Sequence, residues 1–568
     1  MTYRAPISEY RFIFEHVVDF AALTATGRFS EVGREMTDAI LSEAGRLSDE
    51  VIAPLNRAGD EHGARLENGR VISSPGFAEG YAAIAEGGWV CVSAPEEYGG
   101  MGLPVALQTA INEMMSGACL SLQLNPLLTQ GQIEALHAHA SDAIRARYLP
   151  KLISGQWTGT MNLTEAGAGS DVGALTTRAV PNGDGTYAIT GQKIFITWGD
   201  CDFAGNVCHL VLARLPDSGP GTRGISLFLV PRDIPDADGN PGVANAVRVV
   251  SLERKLGIHG SPTCVMEYSG ATGWLIGAEN AGMAAMFTMM NNARLGVGAE
   301  GIGIAEAATQ KAVAYATERR QGSAGGSGTI IEHPDVRRMV TTMRAEVFAA
   351  RAIALANAVA IDLANATDEA EWKAQAAFLT PITKAFGSDI GHEVAQIGIQ
   401  VHGGMGYIEE TGAAQFARDV RVTQIYEGTN GIQAMDLVGR KLADGGEAAF
   451  RLLDEVESLA EAARATLPDL AGPVWKSAEN LREATEWLLT QDMTDRFAVA
   501  VAYLRAFARV LGAHFHLRAA MAGDESRRRA LAGFYIARLL PEHESLLATV
   551  RRAADGLYAL SLDDLAEG

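Results

Sequence analysis

The sequence predicts an α+β chain with four successive textures: a helical N-terminal domain, a small central β-barrel or sandwich, a C-terminal helical bundle, and an extra helical domain. Three observations carry this prediction. Ala-rich segments with apolar residues at three- and four-residue spacing flank the middle of the chain. Between Trp157 and about Ile276 they give way to short alternating or β-branched runs. The length, 568 residues, is more than one hydrophobic core supports.

The elements follow in order. An N-terminal arm (1–34) precedes the first helical domain (35–156), which is broken at Pro54, Pro75 and Pro95. The β domain (157–280) holds the runs Tyr187-Ala-Ile-Thr, Lys193-Ile-Phe-Ile-Thr, His209-Leu-Val-Leu-Ala and Gly224-Ile-Ser-Leu-Phe-Leu-Val, with turns at Asn182-Gly-Asp-Gly, Pro220-Gly, Asp238-Gly-Asn and Pro241-Gly. No helix of crossover length separates these runs, hence the barrel or sandwich. Helices return in the bundle (281–442), where Gly322-Ser-Ala-Gly-Gly-Ser-Gly reads as a flexible interruption. In the last domain (443–568), Phe497, Val501, Leu504, Leu511 and Phe515 fall on one stripe that needs a packing partner.

Composition excludes several classes. Low complexity fails, because 48% of the residues are hydrophobic. A net charge of −21 opposes a general nucleic-acid binder. The cysteines (Cys91, Cys119, Cys201, Cys208, Cys264) are sparse and odd in number, so neither a disulfide framework nor a zinc site is expected. Glu9, Glu15 and Asp19 spoil a targeting segment, and Arg505 and Arg509 break the apolar run from Phe497. A soluble cytoplasmic protein without metal is the expectation.

Some motifs mislead. Gly296-Val-Gly-Ala-Glu-Gly301 satisfies G-x-G-x-x-G but lies in a helical run with no preceding strand, so close helix packing is the better reading. His392-Glu393 lacks the second histidine that zinc needs. Two segments are stronger. Met161-Asn-Leu-Thr-Glu-Ala-Gly-Ala-Gly-Ser-Asp-Val-Gly-Ala174, with Gly191-Gln-Lys-Ile-Phe-Ile-Thr197, alternates glycine with small polar residues that let backbone approach a flat or anionic ligand; an ordinary loop entering a strand fits equally. Gln400-Val-His-Gly-Gly-Met-Gly-Tyr407 is followed by Arg418-Asp-Val-Arg-Val-Thr-Gln-Ile-Tyr-Glu-Gly-Thr-Asn430. In it Glu427 follows an aromatic residue, and desolvation would raise its pKa toward a useful base. A capping glutamate, or one salt-bridged to Arg421, is the alternative.

Both segments, in this order and spacing, resemble the two signatures of acyl-CoA dehydrogenases over roughly residues 35 to 440, and the α–β–α order agrees. The resemblance implies the acyl-CoA dehydrogenase-like fold and an FAD cofactor, with oxidation of an acyl-CoA thioester to its trans-2-enoyl-CoA. Glu427 would take the Cα proton while hydride leaves Cβ for the flavin. The Glu427 backbone N–H and an FAD ribityl hydroxyl would stabilise the thioester oxygen, each such donor being worth roughly 3–4 kcal/mol. Some relatives carry the base just before an arginine equivalent to Arg294; here that residue is Ala293, which cannot titrate. By the same resemblance, Met161, Leu163, Thr164, Gly169, Ser170, Phe195, Thr197 and Thr429 would contact FAD. Arg319, Gln321, Gln400 and Gly404 would reach the FAD of a neighbouring subunit, which implies a homodimer or homotetramer. Ser170, Arg294, Tyr426 and Gly428 would line the acyl-CoA cleft, and an electron-transfer flavoprotein would take the electrons.

There are departures from the pattern. Phe195 stands where many relatives have Trp, Asn162 replaces a small residue, Gln415 replaces Lys or Arg, and Gly322 replaces Phe beside Gln321. The start Tyr3-Arg-Ala-Pro-Ile, the stretch Lys255 to Cys264 and Met289-Met-Asn-Asn-Ala-Arg-Leu295 resemble a long, C-terminally extended bacterial subfamily that includes oxidation of 3-(methylthio)propanoyl-CoA in dimethylsulfoniopropionate breakdown. That substrate and a short-to-medium straight-chain acyl-CoA both stay open. The extension reads first as a buried helical cap. The 16 basic and 20 acidic residues after residue 439 oppose membrane contact through Arg527-Arg-Arg529 and Arg551-Arg552, and likewise the DNA binding seen in some relatives of the fold. An acyl-CoA oxidase is a further alternative, against which stands the ending Leu565-Ala-Glu-Gly in place of a peroxisomal tripeptide.

Overall fold

A computed structural model describes residues 3–322, 325–522 and 526–566, so Ser323 and Ala324 of the glycine-rich interruption lie outside the described residues. The described residues form two compact units: Pro6–Asp38 with those from Val297 onward, and 3–5 with Ala39–Gly296. Helices α1 (Ile7–His16) and α2 (Phe20–Thr24) open the first. Helix α3 (Arg34–Leu47) leads into the second unit, which continues through α4 (Leu55–Glu61), the hairpin β1 (Arg65–Glu67) and β2 (Arg70–Ile72), α5 (Phe77–Glu86), α6 (Val105–His139) and α7 (Asp142–Ile153).

The hairpin corrects the all-helical reading of this stretch. Its Asn68-Gly69 turn takes φ of 50° and 77°, the left-handed pair that Asn-Gly supplies. Val71 then joins the barrel core with Ile189, Val211 and Phe228, and its N–H donates to Asp200 at 3.1 Å. The expected breaks at Pro54, Pro75 and Pro95 all fall outside the α-helices, whereas Pro126 lies inside α6, whose irregularity is at Cys119 (φ −159°, ψ 93°).

The β region closes into a barrel. Its strands are β3 (Trp157–Asn162), β4 (Arg178–Pro181), β5 (Tyr187–Thr197), β6 (Asn206–Arg214), β7 (Ile225–Pro231), β10 (Val247–Leu252) and β11 (Thr263–Ile276); β8 (Asp233–Pro235) and β9 (Pro241–Ala244) form a separate pair. The sheet order is β10-β11-β5-β4-β6-β3, and β7 pairs with both β11 and β6, completing the circuit. The two runs expected at 187–190 and 193–197 are one continuous strand, because β11 pairs along the whole of β5 and only shifts register. The parallel pairing of β3 with β6 places Met161 opposite Leu210.

Helix α8 (Gly282–Glu318) begins in the second unit and ends in the first. There it joins α9 (Pro334–Thr367), α10 (Ala370–His402), α11 (Ala413–Val420), α12 (Asn430–Asp436), α13 (Glu447–Ala463), α14 (Pro468–Leu489), α15 (Met493–Met521), α16 (Ser526–Arg538), α17 (Glu542–Val550) and α18 (Leu562–Ala566). Two of these, α9 and α15, are long and apolar enough to cross a membrane, yet their apolar windows are 89% and 72% buried inside the protein. On α15 the expected stripe holds only in part. Leu504, Leu511 and Phe515 are buried, whereas Phe497 and Val501 are 39% and 57% exposed. Arg505 pairs with Glu393 and Glu542, and buried Arg509 with Glu346 (2.6 Å) and Glu542 (2.5 Å), so α15 is tied to α9, α10 and α17.

From Pro6 onward the N-terminal arm packs within the same unit. Arg528 pairs with Glu9 and lies 3.9 Å from the Phe12 ring centroid, and Arg351 sits over Tyr10 while pairing with Glu306. Arg528 therefore belongs to the interior and not to a basic surface patch.

The misleading glycine motif lies within α8 and sets how closely α8 and α10 approach. A Cβ on Gly301 would fall 2.3 Å from the Gly387 carbonyl oxygen; one on Gly387 would fall 2.7 Å from that of Gly298, and one on Gly391 2.7 Å from that of Gly301. Only glycine permits these backbone contacts. Gly301→Ala is therefore expected to destabilise by about 1–3 kcal/mol, outweighing the gain of roughly 1 kcal/mol in helix propensity. Thermal unfolding tests this, and a melting temperature at or above that of the wild type would contradict the tight contact.

Candidate active site

The first signature folds around one carboxylate. The chain leaves β3 and turns, with Glu165 and Ala168 exchanging N–H to carbonyl bonds of 3.1 and 3.0 Å. The Glu165 side chain accepts from the N–H and hydroxyl of Thr176 (both 2.7 Å), the N–H and hydroxyl of Thr177 (3.0 and 2.6 Å) and Lys193 Nζ (2.8 Å). Burial raises its pKa, but the ammonium and the hydroxyl and amide donors outweigh burial and hold the carboxyl at about 2. Lys193 also donates to the Leu163 carbonyl at 3.0 Å, and the Ile194 N–H to that of Thr164 at 2.9 Å.

This clamp joins the end of β3 and its loop to β5. Of the second unit's expected FAD residues, Met161, Leu163 and Thr164 at the end of β3 are thereby tied to the strand that carries Phe195 and Thr197, and Gly169 and Ser170 lie in the loop between Glu165 and Thr176. Gly169 and Ser170 are exposed, and a Cβ on Gly167 or Gly169 would meet nothing within 4 Å. Phe195 is 59% exposed at a left-handed φ of 60°, an unfavourable placement for an aromatic unless a flat partner covers it. An open glycine loop after β3 and a solvent-facing ring on β5, the two segments that the clamp joins, fit a flavin nucleotide. Arg294 and Ala293 are buried on the same unit's part of α8.

The second signature is pinned from α10. Lys384 Nζ donates to the Gly428 carbonyl (2.9 Å) and to Asn430 Oδ1 (2.8 Å). Asn430 Nδ2 and Gln424 Nε2 donate to Asp389 at 2.7 and 2.6 Å, and Gln433 Nε2 donates to the Glu427 carbonyl at 3.1 Å. Burial pushes the Asp389 carboxyl up. Glu427 stands half-buried at φ 56°, followed by Gly428 at φ 83°. A non-glycine residue held there costs about 1–2 kcal/mol, which the pinned carbonyls offset. The Tyr426 hydroxyl donates to Glu300 of α8. Thr429 is the N-cap of α12, its hydroxyl oxygen accepting from the Ile432 N–H at 3.3 Å. Gln415 is buried and donates to Asp419.

The remaining expected residues lie elsewhere in this unit. Tyr315 of α8 stacks on His402 of α10, with ring centroids 4.4 Å apart, so the C-terminal ends of both helices meet. Arg319, Gln321, Gln400 and Gly404 gather there and all are exposed. The Gln321 N–H donates to the Gly328 carbonyl at 3.2 Å. From Glu300 to Tyr315, α8 rises about 20 Å at 1.5 Å per residue, so this cluster stands well away from Glu427. Glu165, Lys193, Lys384, Asp389 and Glu300 escaped the sequence reading. Glu165, Lys193 and Glu300 lie inside quoted segments or the glycine motif and Lys384 and Asp389 do not, but in either case pairings across 28 or more residues leave no periodic trace.

Family models cover most of the chain: acyl-CoA dehydrogenase N-terminal domain (34–156), middle domain (160–271) and C-terminal domain (280–442), then acetyl-CoA dehydrogenase C-terminal like (452–561). A 3-methylmercaptopropionyl-CoA dehydrogenase of Ruegeria pomeroyi is 49% identical over 80% of this chain and 79% of its own. A butyryl-CoA dehydrogenase of Syntrophomonas wolfei is 38% identical over 72% and 70%. Caenorhabditis elegans ACDH-11, solved with C11-CoA, shares the fold at a TM-score of 0.80 and 21% identity, over 98% of this chain and 96% of its own. These matches define a flavin-dependent oxidoreductase of thioesters. The chain belongs to the acyl-CoA dehydrogenase family and uses FAD.

Lys193→Met would strand the buried Glu165 carboxylate and is expected to cost about 3–5 kcal/mol. The double variant Glu165→Gln, Lys193→Met should recover part of that loss. Thermal melts of the three proteins decide it, and a Lys193→Met variant as stable as the wild type would remove the clamp from the account.

Proposed function

We propose that this chain oxidises 3-(methylthio)propanoyl-CoA to its trans-2-enoyl-CoA and passes the electrons to an electron-transfer flavoprotein, within dimethylsulfoniopropionate breakdown. The observation that carries this reading is the 49% identity to the 3-methylmercaptopropionyl-CoA dehydrogenase, against 38% to the butyryl-CoA dehydrogenase.

FAD, when bound, supplies the acceptor for the two electrons that leave Cβ as hydride. In this reading Glu427 takes the Cα proton. Its left-handed backbone and pinned carbonyl fix where the carboxylate starts, and the bonds of Gly428 to α10 limit how far the loop can shift. Phe195 and the open glycine loop are the groups to cover the flavin and hold its polar edge. Arg319, Gln321, Gln400 and Gly404, remote from Glu427 along the helices, suit contact with the cofactor of a second subunit in a homodimer or homotetramer.

Glu427→Gln is expected to keep FAD and ligand binding while turnover falls roughly 10²–10⁴-fold. Stopped-flow reduction checks this, and a variant retaining most of its activity would place the base elsewhere.

The substrate is tested by anaerobic titration of the flavin spectrum with a panel of acyl-CoAs. The methylthio acyl group matches a pentanoyl group in chain length, so preference between them rests on sulfur contacts of about 0.3–1.5 kcal/mol. Butyryl is one methylene shorter, and the expected handicap is about 10–200-fold. Bleaching by 3-(methylthio)propanoyl-CoA ahead of both supports the reading. Preferential bleaching by straight chains would retire the sulfur assignment in favour of short-chain β-oxidation, the reading that the butyryl-CoA relative supports.

A further inference from the structure

Glu300 is a buried acid that the reaction as derived does not use. It lies on α8 between the glycines that meet α10, and it is 1% exposed. Its Oε2 accepts the hydroxyl hydrogen of Tyr426, the residue before Glu427, and its Oε1 has no hydrogen-bond partner among the described residues. The titratable groups that act on it are Tyr426 and Glu427 from the loop and Lys384 from α10. Lys384 is already shared between the Gly428 carbonyl and Asn430.

An ionised carboxylate wants several donors, and this one has a single phenol. Burial, an orphaned oxygen and a like charge nearby all favour the neutral acid. The same balance pushes the Glu300 carboxyl up to about 8: burial is the main cause and the Glu427 charge adds to it, against the Tyr426 hydrogen bond and Lys384.

We propose that Glu300 is a positioning residue held as the neutral acid, anchoring Tyr426 and leaving Glu427 as the only ionised carboxylate of the pair. This rests on Glu427 being the base. A second negative charge here would lift the affinity of Glu427 for protons, so that it carried one before substrate arrived. A neutral Glu300 spares Glu427 that repulsion and leaves it able to accept the Cα proton, and the charge on the two carboxyl groups then goes from minus one to zero as the proton leaves the substrate.

The test compares holoenzymes of wild type, Glu300→Gln, Glu300→Leu and Glu427→Gln. Infrared spectra of wild type at neutral pH should show the carbonyl stretch of a protonated carboxylic acid that fades as the pH rises through about 8. Glu300→Gln should lack this band. In Glu427→Gln the band should persist and fade at lower pH, because the neighbouring charge is gone. The acid limb of kcat/KM, which reports Glu427, should keep its midpoint in Glu300→Gln, since one neutral group replaces another. Were Glu300 ionised, the same change would move that limb to lower pH. Glu300→Leu removes the acceptor for Tyr426, and kcat should fall roughly 10- to 100-fold with little change in KM, a larger loss than in Glu300→Gln, whose amide oxygen still accepts.

Absence of the acid band at neutral pH, or an acid limb displaced in Glu300→Gln, overturns the proposal. Full turnover by Glu427→Gln with the band intact would instead overturn the base assignment, and with it the role given to Glu300.

Discussion

Everything placed around Glu427 depends on how near α8 and α10 come to each other. Gly298 and Gly301 on one helix face Gly387 and Gly391 on the other, close enough that a single methyl would strike a carbonyl oxygen. At that separation Glu300 from α8 and Lys384 from α10 both reach the same short loop. A wider gap would leave the Tyr426 hydroxyl and the Gly428 carbonyl without their partners, and a left-handed glutamate would have nothing to hold it.

The two signatures are built on the same economy. In each, one charged side chain organises a loop from beneath: Glu165, with Lys193, gathers the stretch from 163 to 177, and Lys384 gathers 428 to 430. These charges are buried beneath the loops they hold. The C-terminal extension follows the same habit in a structural setting. Three of its arginines turn inward, Arg505 and Arg509 to acids on α9, α10 and α17, and Arg528 to Glu9 and Phe12 of the N-terminal arm. Of the arginines that suggest a surface patch in the sequence, Arg528 ties the extension to the N-terminal arm, whereas Arg527, Arg529, Arg551 and Arg552 are exposed.

Local chemistry writes clearly into sequence and distant pairing does not. The switch from helical to strand texture near Trp157, the turn residues of the β region and the two long motifs were all readable, because each depends on residues within a few positions of one another. Thr429 as a helix cap was equally local and was passed over for a ligand role. The docked hairpin at 65–72 was hidden by its brevity, and the exposure of Phe497 and Val501 by the assumption that an apolar stripe is buried along its whole length. Glu300 was read only as part of a glycine motif. Its importance appears once α8 is set against the loop carrying Tyr426, a separation of 126 residues.

By itself, the sequence determined the order of helical and β segments and the acyl-CoA dehydrogenase signatures, and with them the acid we propose as base. These follow from periodicity, turn chemistry and short motifs, which are properties of neighbouring residues. Only the tertiary structure decided that the β strands close into a barrel, that Glu165 and Lys193 clamp the first signature, and that the expected site residues of the helical unit fall into two separate groups. It also decided that Glu427 has a second carboxyl nearby. Burial and the distance between charges set what an acid does, and both arise only when residues far apart in the chain are brought together.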